Sequence, residues 1–491
     1  MYLRKTTASM DDSVIFLAVG GILSLSIFIA IGASKIGIPS LVAFLVIGML
    51  LGTDGLANID FNNVHLARTI GIVALAAILF EGGLSTSWRR LRNVALPAAS
   101  LSTIGVIVTA ILVGIVSHIL FDLPWLESFL VGAVVSSTDA AAVFATLRFT
   151  NIKRRLARTL EAETGGNDPV AIALTIGLIS WIESPAYNLG DLSLLLIHQI
   201  GLGLVVGLGL GLIATYVFAR LPHSIGSFAP VASLAAAALA YGIAASIGGS
   251  GFLSVYLVGL AIGSTPSRYR HHFVTFHEGL AFLCQVILFI VLGLLVVPKD
   301  LLPIAGASLV LALVLILFIR PIAVWASIPF GHFNLRERAL LGWAGLRGAV
   351  PIVLGTFVLS SQVPSKNTIF NIVFFVVLVS ALIQGTTLEK MANLLGVVDR
   401  PRKSEADLEP SLAEEQTIEF TVRETHSING VHIKEIGLPK KAIVSEVVRE
   451  DQHLVPEKNL LIEEGDKIII NAPSGIRPEI DDVMARWRRR V

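Results

Sequence analysis

The chain has 491 residues, of which 54 % are hydrophobic and only 15 % charged, and its formal net charge is +1. With a mean hydropathy of +0.77, this composition excludes a water-soluble globular protein, whose surface needs far more polar side chains. The single cysteine, Cys284, excludes a disulfide framework and a Cys-rich metal site.

Hydrophobic runs long enough to cross a bilayer as helices of about 20 residues fall at 12–34, 36–55, 65–84, 94–120, 126–147, 159–182, 192–220, 228–248, 250–264, 273–297, 301–328, 338–361 and 368–392. They predict an all-α polytopic membrane domain over 1–395 with about thirteen spans, numbered here in chain order. The segment from Met1 to Asp12 lacks the charge order and the small-residue cleavage pattern of a signal peptide, so span one is expected to be retained.

Basic residues gather in alternate loops: Lys35; Arg89, Arg90 and Arg92; Arg148, Lys153, Arg154 and Arg155; Arg220; Arg268 and Arg270; Arg336 and Arg338. The intervening loops carry Asp54, Asp60, Asp122, Glu183 and Asp191, with isolated lysines at Lys299 and Lys366. By the positive-inside rule the first set is cytoplasmic, with the amino terminus outside and the carboxyl terminus in the cytosol. Arg4 and Lys5 run against this, but an odd number of spans fits it.

Span five contains Ser136-Ser137-Thr138-Asp139 followed by Ala140-Ala141-Ala142, helix-capping residues at mid-membrane and then good helix formers, the pattern of a helix that stops and restarts. Span twelve contains Gly345-Leu346-Arg347-Gly348-Ala349-Val350-Pro351. Irregular backbone at this depth is tolerated only in protein or along a cavity. The two interruptions lie seven spans apart, an odd offset, so the helices run in opposite directions, as inverted repeats of spans one to six and eight to thirteen require.

Span six reads Glu161-Ala162-Glu163-Thr164-Gly165-Gly166-Asn167-Asp168-Pro169. An ionisable group in hydrocarbon costs several kcal/mol and marks an ion or proton path. Pro169 cannot donate to the Gly165 carbonyl and, with Gly165 and Gly166, is expected to open the helix before Asp168. Glu161, Thr164, Gly165 and Asp168 share one face, with Glu163 and Asn167 on a neighbouring stripe. Glu161 lies roughly 10 Å to the cytoplasmic side of Asp168 and suits the acidic wall of an entry funnel. A buried carboxylate is stable protonated or cation-bound, so proton and cation compete for Asp168.

Beyond Leu395 the composition changes: a charged linker over 396–416, then a small α+β domain over 417–491. Strands are expected at Ile418–Val422, Ala442–Arg449, Leu460–Glu463 and Lys467–Asn471. No GxGxxG follows a strand, so no dinucleotide or other cofactor is expected.

The membrane motifs resemble the NhaP-type branch of the cation:proton antiporter superfamily. The match rests on Thr138-Asp139, on Glu163 to Pro169 and on Gly345 to Ala349 in that order. The resemblance implies that Asp168 is the shared carrier of proton and monovalent cation, with Thr138, Asp139 and Thr164 supplying further oxygens. Asn167 would orient the crossing helices, Glu163 and Arg347 would form a buried ion pair between spans six and twelve, and Glu81 would sit in a funnel or at a helix end. An Asn-Asp pair implies electroneutral exchange, one proton per cation, without enzymatic activity. The tail pattern Ile428-Asn429-Gly430, Arg449, Pro456 and Gly465-Asp466-Lys467-Ile468 resembles the TrkA-C lobe of potassium-conductance regulators, which implies a regulatory small ligand and a homodimer.

That lobe favours potassium, with ammonium, over sodium or lithium. A ligand-regulated cation channel is the reading from another class, though no TVGYG-like filter is present; a cation-coupled symporter would need a larger polar pocket. A cell (inner) membrane location and a role in pH and cation homeostasis follow, with no nucleic-acid partner. His198, His277 and Glu278 read as interface residues near span ends, His277 with an alternative role in pH response. Gln285 reads as a core hydrogen-bonding residue, and Gly203, Gly207 and Gly211 as a close-packing stripe.

Overall fold

The structure, a computed structural model, describes residues 12–36, 39–53, 59, 61–139, 143, 152–220, 228–265, 270–328, 331–398, 415–439, 442–449, 452–454, 456–457, 460–473 and 476–488. The chain divides into two compact units, Met1–Asp399 and Arg400–Val491. The linker expected at 396–416 lies mostly outside the described residues, as do Ala140, Ala141 and Ala142.

Each of the thirteen predicted spans contains helix. Spans one to four are Asp12–Ile36, Ser40–Leu51, Val64–Ser85 and Ala95–Phe121. Span five begins as Trp125–Val135 and is broken at 136–139. Spans six to eleven are Arg154–Glu183, Leu189–Arg220, Ala229–Ser246, Gly251–Ser264, Arg270–Leu294 and Ala305–Ser327. Span twelve is two half-helices, Leu335–Trp343 and Ala349–Leu359, and span thirteen is Lys366–Leu394. Among the described residues seven helices are long and apolar enough to cross a membrane on those grounds alone. Spans five and twelve fall short because they are interrupted.

The seven-span offset recurs in the packing. Span two packs on span ten and span three on span nine, contacts that exchange under that offset. Both are made by glycine: a Cβ on Gly48 would lie 2.3 Å from the Ile290 carbonyl oxygen, and one on Gly259 2.5 Å from the Phe80 carbonyl oxygen. Apolar lipid offers no hydrophobic drive between helices, so close backbone approach at small residues supplies the attraction. Span four has a π-helical stretch at Leu101–Gly105 and span eleven another at Leu315–Ile319. The Gly203, Gly207 and Gly211 stripe faces Ser250, Ser254 and Ala261 of span nine at close quarters.

Span six departs from expectation. It is one continuous helix through Pro169, not opened ahead of Asp168. Gly165 and Gly166 serve packing instead: a Cβ on Gly165 would sit 2.2 Å from the Tyr256 ring and one on Gly166 2.7 Å from Ser102 Oγ. His277 is no interface residue either; it is buried, with Nε2 2.8 Å from Ser233 Oγ. His198 and Glu278 are exposed.

In the tail, Glu415–Thr421, Lys467–Pro473, Ile443–Arg449 and Gln452–Leu454 form an antiparallel sheet in that spatial order. The expected strand at Leu460–Glu463 is absent from the sheet; Leu461 makes only an isolated bridge to His432. The sheet partner is the short hairpin strand Gln452–Leu454, too short to show an alternating pattern. An unforeseen helix, Arg477–Trp487, buries Ile480, Val483, Met484 and Trp487 in the tail's core, and the Trp487 indole donates to the Ile436 carbonyl at 2.8 Å. Asp466, fully buried, takes a forked hydrogen bond from Arg449, Nε–Oδ1 2.7 Å and Nη2–Oδ2 2.8 Å. The pair holds the Arg449 guanidinium's proton more tightly than usual.

Candidate ion-binding site

The two interrupted spans meet at their breaks. The Asp139 backbone N–H donates to the Leu346 carbonyl at 2.8 Å, so each irregular segment satisfies the other. Arg347, fully buried, donates from Nη1 to the carbonyls of Ser136 and Ser137 at 2.8 and 2.7 Å. These are the acceptors released where span five stops, and a fixed cation is well suited to a helix carboxyl end.

Polar side chains of a neighbouring span brace each break. From span six, Asn167 Nδ2 donates to Thr138 Oγ1 at 2.5 Å. From span thirteen, Gln384 Nε2 donates to the Trp343 carbonyl at 2.7 Å, and Ser380 Oγ accepts the Arg347 backbone N–H at 3.1 Å. The motif glycines make room for charge: a Cβ on Gly345 would lie 2.4 Å from Arg320 Nε, and one on Gly348 1.7 Å from Asp139 Oδ2.

Asp168 is 2 % exposed, and Ser137 donates its hydroxyl to Asp168 Oδ1. A cavity of about 250 Å³ reaches it, lined on span six by Glu161, Thr164, Gly165 and Asp168, on span five by Thr138 and Asp139, and on span three by Glu81. Tyr256, Ala349 and Val350 also line it, together with apolar residues of span three such as Leu75 and Leu79. Thr86 Oγ1 lies 2.5 Å from Glu161 Oε1, Ser85 donates to Glu81 Oε1 at 2.7 Å, and Thr164 bonds back to the Leu160 carbonyl at 3.3 Å. Beyond Asp168 on the same helix, Val170, Ala171, Ile172 and Ala173 are buried.

The expected pair of Glu163 with Arg347 is not formed. Glu163 is ion-paired with Arg320 of span eleven, both almost wholly out of solvent. Arg320 follows directly on the π-helical stretch Leu315–Ile319, and Ser102, inside the matching stretch of span four, donates to the Glu163 carbonyl at 2.7 Å. Sequence reasoning passed over Arg320 although it interrupts the predicted span 301–328, the same signal that singled out Asp168. Ser137 gave no signal apart from its neighbours, because a serine there serves equally well as a helix cap.

Residues 22–394 match the family described as sodium/hydrogen exchanger, transmembrane, and residues 417–482 match the TrkA-C domain. The chain belongs to the sodium/hydrogen exchanger family. It is 38 % identical over 464 residues to a K(+)/H(+) antiporter NhaP2 of Shewanella sp. (strain MR-4), covering 93 % of this chain and 80 % of that one. To a K(+)/H(+) antiporter NhaP of Alkalimonas amylolytica it is 37 % identical over 96 % of this chain and 83 % of the relative. A Na(+)/H(+) antiporter ApNhaP of Aphanothece halophytica is 28 % identical over 74 % of this chain and 71 % of its own. The exchanger fold is shared with MjNhaP1 of Methanocaldococcus jannaschii, TM-score 0.69 at 24 % identity, over 78 % of this chain and 99 % of that structure. As a member of this exchanger family the protein is a multi-pass membrane transporter of cations and protons.

Proposed function

We propose that the protein exchanges a cytosolic monovalent cation, potassium in preference to sodium and with ammonium also accepted, for protons, one for one. Asp168 is the carrier for both. The observation that supports this most is that, of the four carboxylates lining the cavity, Glu81, Asp139, Glu161 and Asp168, only Asp168 is buried, with Asn167 beside it engaged as a neutral donor to Thr138. The cavity approaches along Glu81 and Glu161, acidic groups that concentrate cations.

Ser137 fits both states of the cycle. Its hydroxyl donates to the Asp168 carboxylate; by rotating, it turns a lone pair toward a bound cation and joins Thr138, Asp139 and Thr164 as an oxygen ligand. Proton loading then neutralises Asp168 for the return. A cavity that ends at the carboxylate suits alternating access better than a channel.

Potassium is favoured by the two K(+)/H(+) relatives at 37–38 % identity, against 28 % for the Na(+)/H(+) relative. The basic loops support a cell-membrane location with the amino terminus outside and the carboxyl terminus in the cytosol, which makes the Glu161 side cytosolic. The tail acts as a regulatory module of a homodimer; its cavity of about 330 Å³, lined by Lys434, Leu438, Ile443 and Pro456 among others, suits a small ligand.

In everted vesicles, potassium addition dissipates a preformed pH gradient at a rate independent of membrane potential, and Asp168→Asn abolishes the response. Potassium passage without proton movement would sink the antiport reading. Running sodium, lithium and ammonium alongside decides the ion.

A further inference from the structure

Three further cavities lie on the side of Asp168 away from Glu161, and they share walls. One of about 530 Å³ is bounded by Asp191, His198, Gln199 and Gly248. Gln199 and Gly248 also bound a second, of about 220 Å³, together with Arg68, Ile172, Ile176 and Phe357. Arg68, Ile176 and Phe357 also bound a third, of about 200 Å³, with Glu183 and Ser360. Together they make an outer vestibule with acidic residues on its walls.

Its floor is thin. Ile172 is one helical turn beyond Asp168, roughly 6 Å along span six. At the same level Gly71 meets Val353, which a Cβ would approach to 3.2 Å. On span twelve, Ala349 and Val350 face the inner cavity, whereas Phe357 and Ser360 face the vestibule.

Arg68 lines two of the three cavities and ties spans three and twelve together there. Its guanidinium lies over the Phe357 ring, 4.2 Å from the centroid, and Nη1 donates to Ser360 Oγ at 3.1 Å. Span three is thereby fastened to the end of span twelve, whose other end carries the break that meets span five at the site. A guanidinium cannot be neutralised at physiological pH. It therefore puts a permanent positive charge across the path a cation would take from outside.

We propose that Arg68 is the latch of the outer gate, a positioning residue whose contacts with Phe357 and Ser360 keep the vestibule shut off from Asp168 and whose charge repels cations until span twelve moves. This rests on the antiport reading. Release to the outside requires the cation–π contact and the hydrogen bond to break together, and both are weak enough to break in each cycle.

The test uses full-length protein with Cys284→Ala and a reporter, Val350→Cys, on the inner cavity. A small membrane-impermeant thiol reagent is applied from outside to right-side-out vesicles. With Arg68 intact, labelling is slow; Arg68→Ala speeds it by about tenfold, the scale of losing one cation–π contact and one hydrogen bond. Phe357→Leu, which leaves the charge in place, gives a smaller increase, and Arg68→Lys restores part of the protection. At Ile176→Cys in the vestibule itself, Arg68→Ala raises the labelling ratio of a cationic over an anionic reagent, which a merely structural role would not do. Unchanged Val350→Cys labelling in Arg68→Ala protein that melts like its parent would overturn the latch, as would fast labelling with Arg68 present. Failure of the antiport reading is seen separately, as absence of cation-driven proton movement in the parent.

Discussion

Arg320 on span eleven and Glu163 on span six form a buried ion pair, while Arg347 turns to the carbonyls of Ser136 and Ser137. The two arginines therefore do different work. One neutralises an acid beside the carrier helix; the other terminates a broken helix.

Removing one member of a buried pair leaves an uncompensated charge. Glu163→Gln is expected to destabilise the protein by about 3–5 kcal/mol, and Arg320→Met in the same chain to recover most of that loss. The melting temperature in detergent measures both. A double-mutant cycle should give strong coupling between Glu163 and Arg320 and a smaller one between Glu163 and Arg347; the reverse order would refute the assignment.

Ser137→Ala keeps the carboxylate and removes the oxygen that turns its lone pair toward the bound cation, and a net loss of about 1.4 kcal/mol in the bound state is a tenfold effect. Exchange should survive with an apparent cation affinity roughly tenfold weaker, read from the cation dependence of proton flux. Equal affinity in variant and parent would show that Ser137 is no ligand.

Gly348→Ala places a methyl 1.7 Å from Asp139 Oδ2, and backbone cannot yield there because both breaks are pinned by Asp139 N–H to Leu346. Transport should fall to background. Gly209→Ala, with nothing within 4 Å, should transport as the parent does. A fully active Gly348→Ala protein would contradict the crossing geometry.

In the capped first turn of the Leu335–Trp343 helix, ahead of the apolar run that begins at 338, burial pushes the Glu337 carboxyl up, but Lys153 at 2.9 Å and the Asn334 backbone N–H hold it below its ordinary value of 4.5. A carboxyl held low stabilises the fold above its ordinary value, and the contribution is lost as pH falls through the depressed one. The melting-temperature gap between the parent and Lys153→Met should therefore be full near neutrality and close as pH drops below 4.5. A gap that widens in acid would have the wrong sign.

Arg449→Ala strands Asp466 without its forked partner in the tail's core, and Arg449→Lys retains charge but loses the fork. Limited proteolysis of the full chain should cut the tail fastest in the alanine variant, at an intermediate rate in the lysine variant and slowest in the parent. Equal rates would mean that the pair adds no stability.

The spans were legible because each must present about 20 apolar residues to lipid, a constraint written locally in the chain. The breaks were legible for the same reason, since Ser136 to Asp139 and Gly345 to Pro351 are out of place in hydrocarbon. Pro169 misled: neighbouring elements fill the space around it, and a helix packed by Tyr256 and Ser102 runs through. The tail strand at Gln452–Leu454 was missed because three residues carry no alternation to read.

Composition, span order, the inverted offset and the candidacy of Asp168 follow from the amino acids alone, because the cost of a polar group in lipid depends on the residue and its depth. Which arginine meets Glu163, which hydroxyl meets Asp168 and what each motif glycine makes room for were decided by tertiary structure. The first two are contacts between groups 157 and 31 residues apart, and no local pattern records the distance between two groups that meet only when the spans cross.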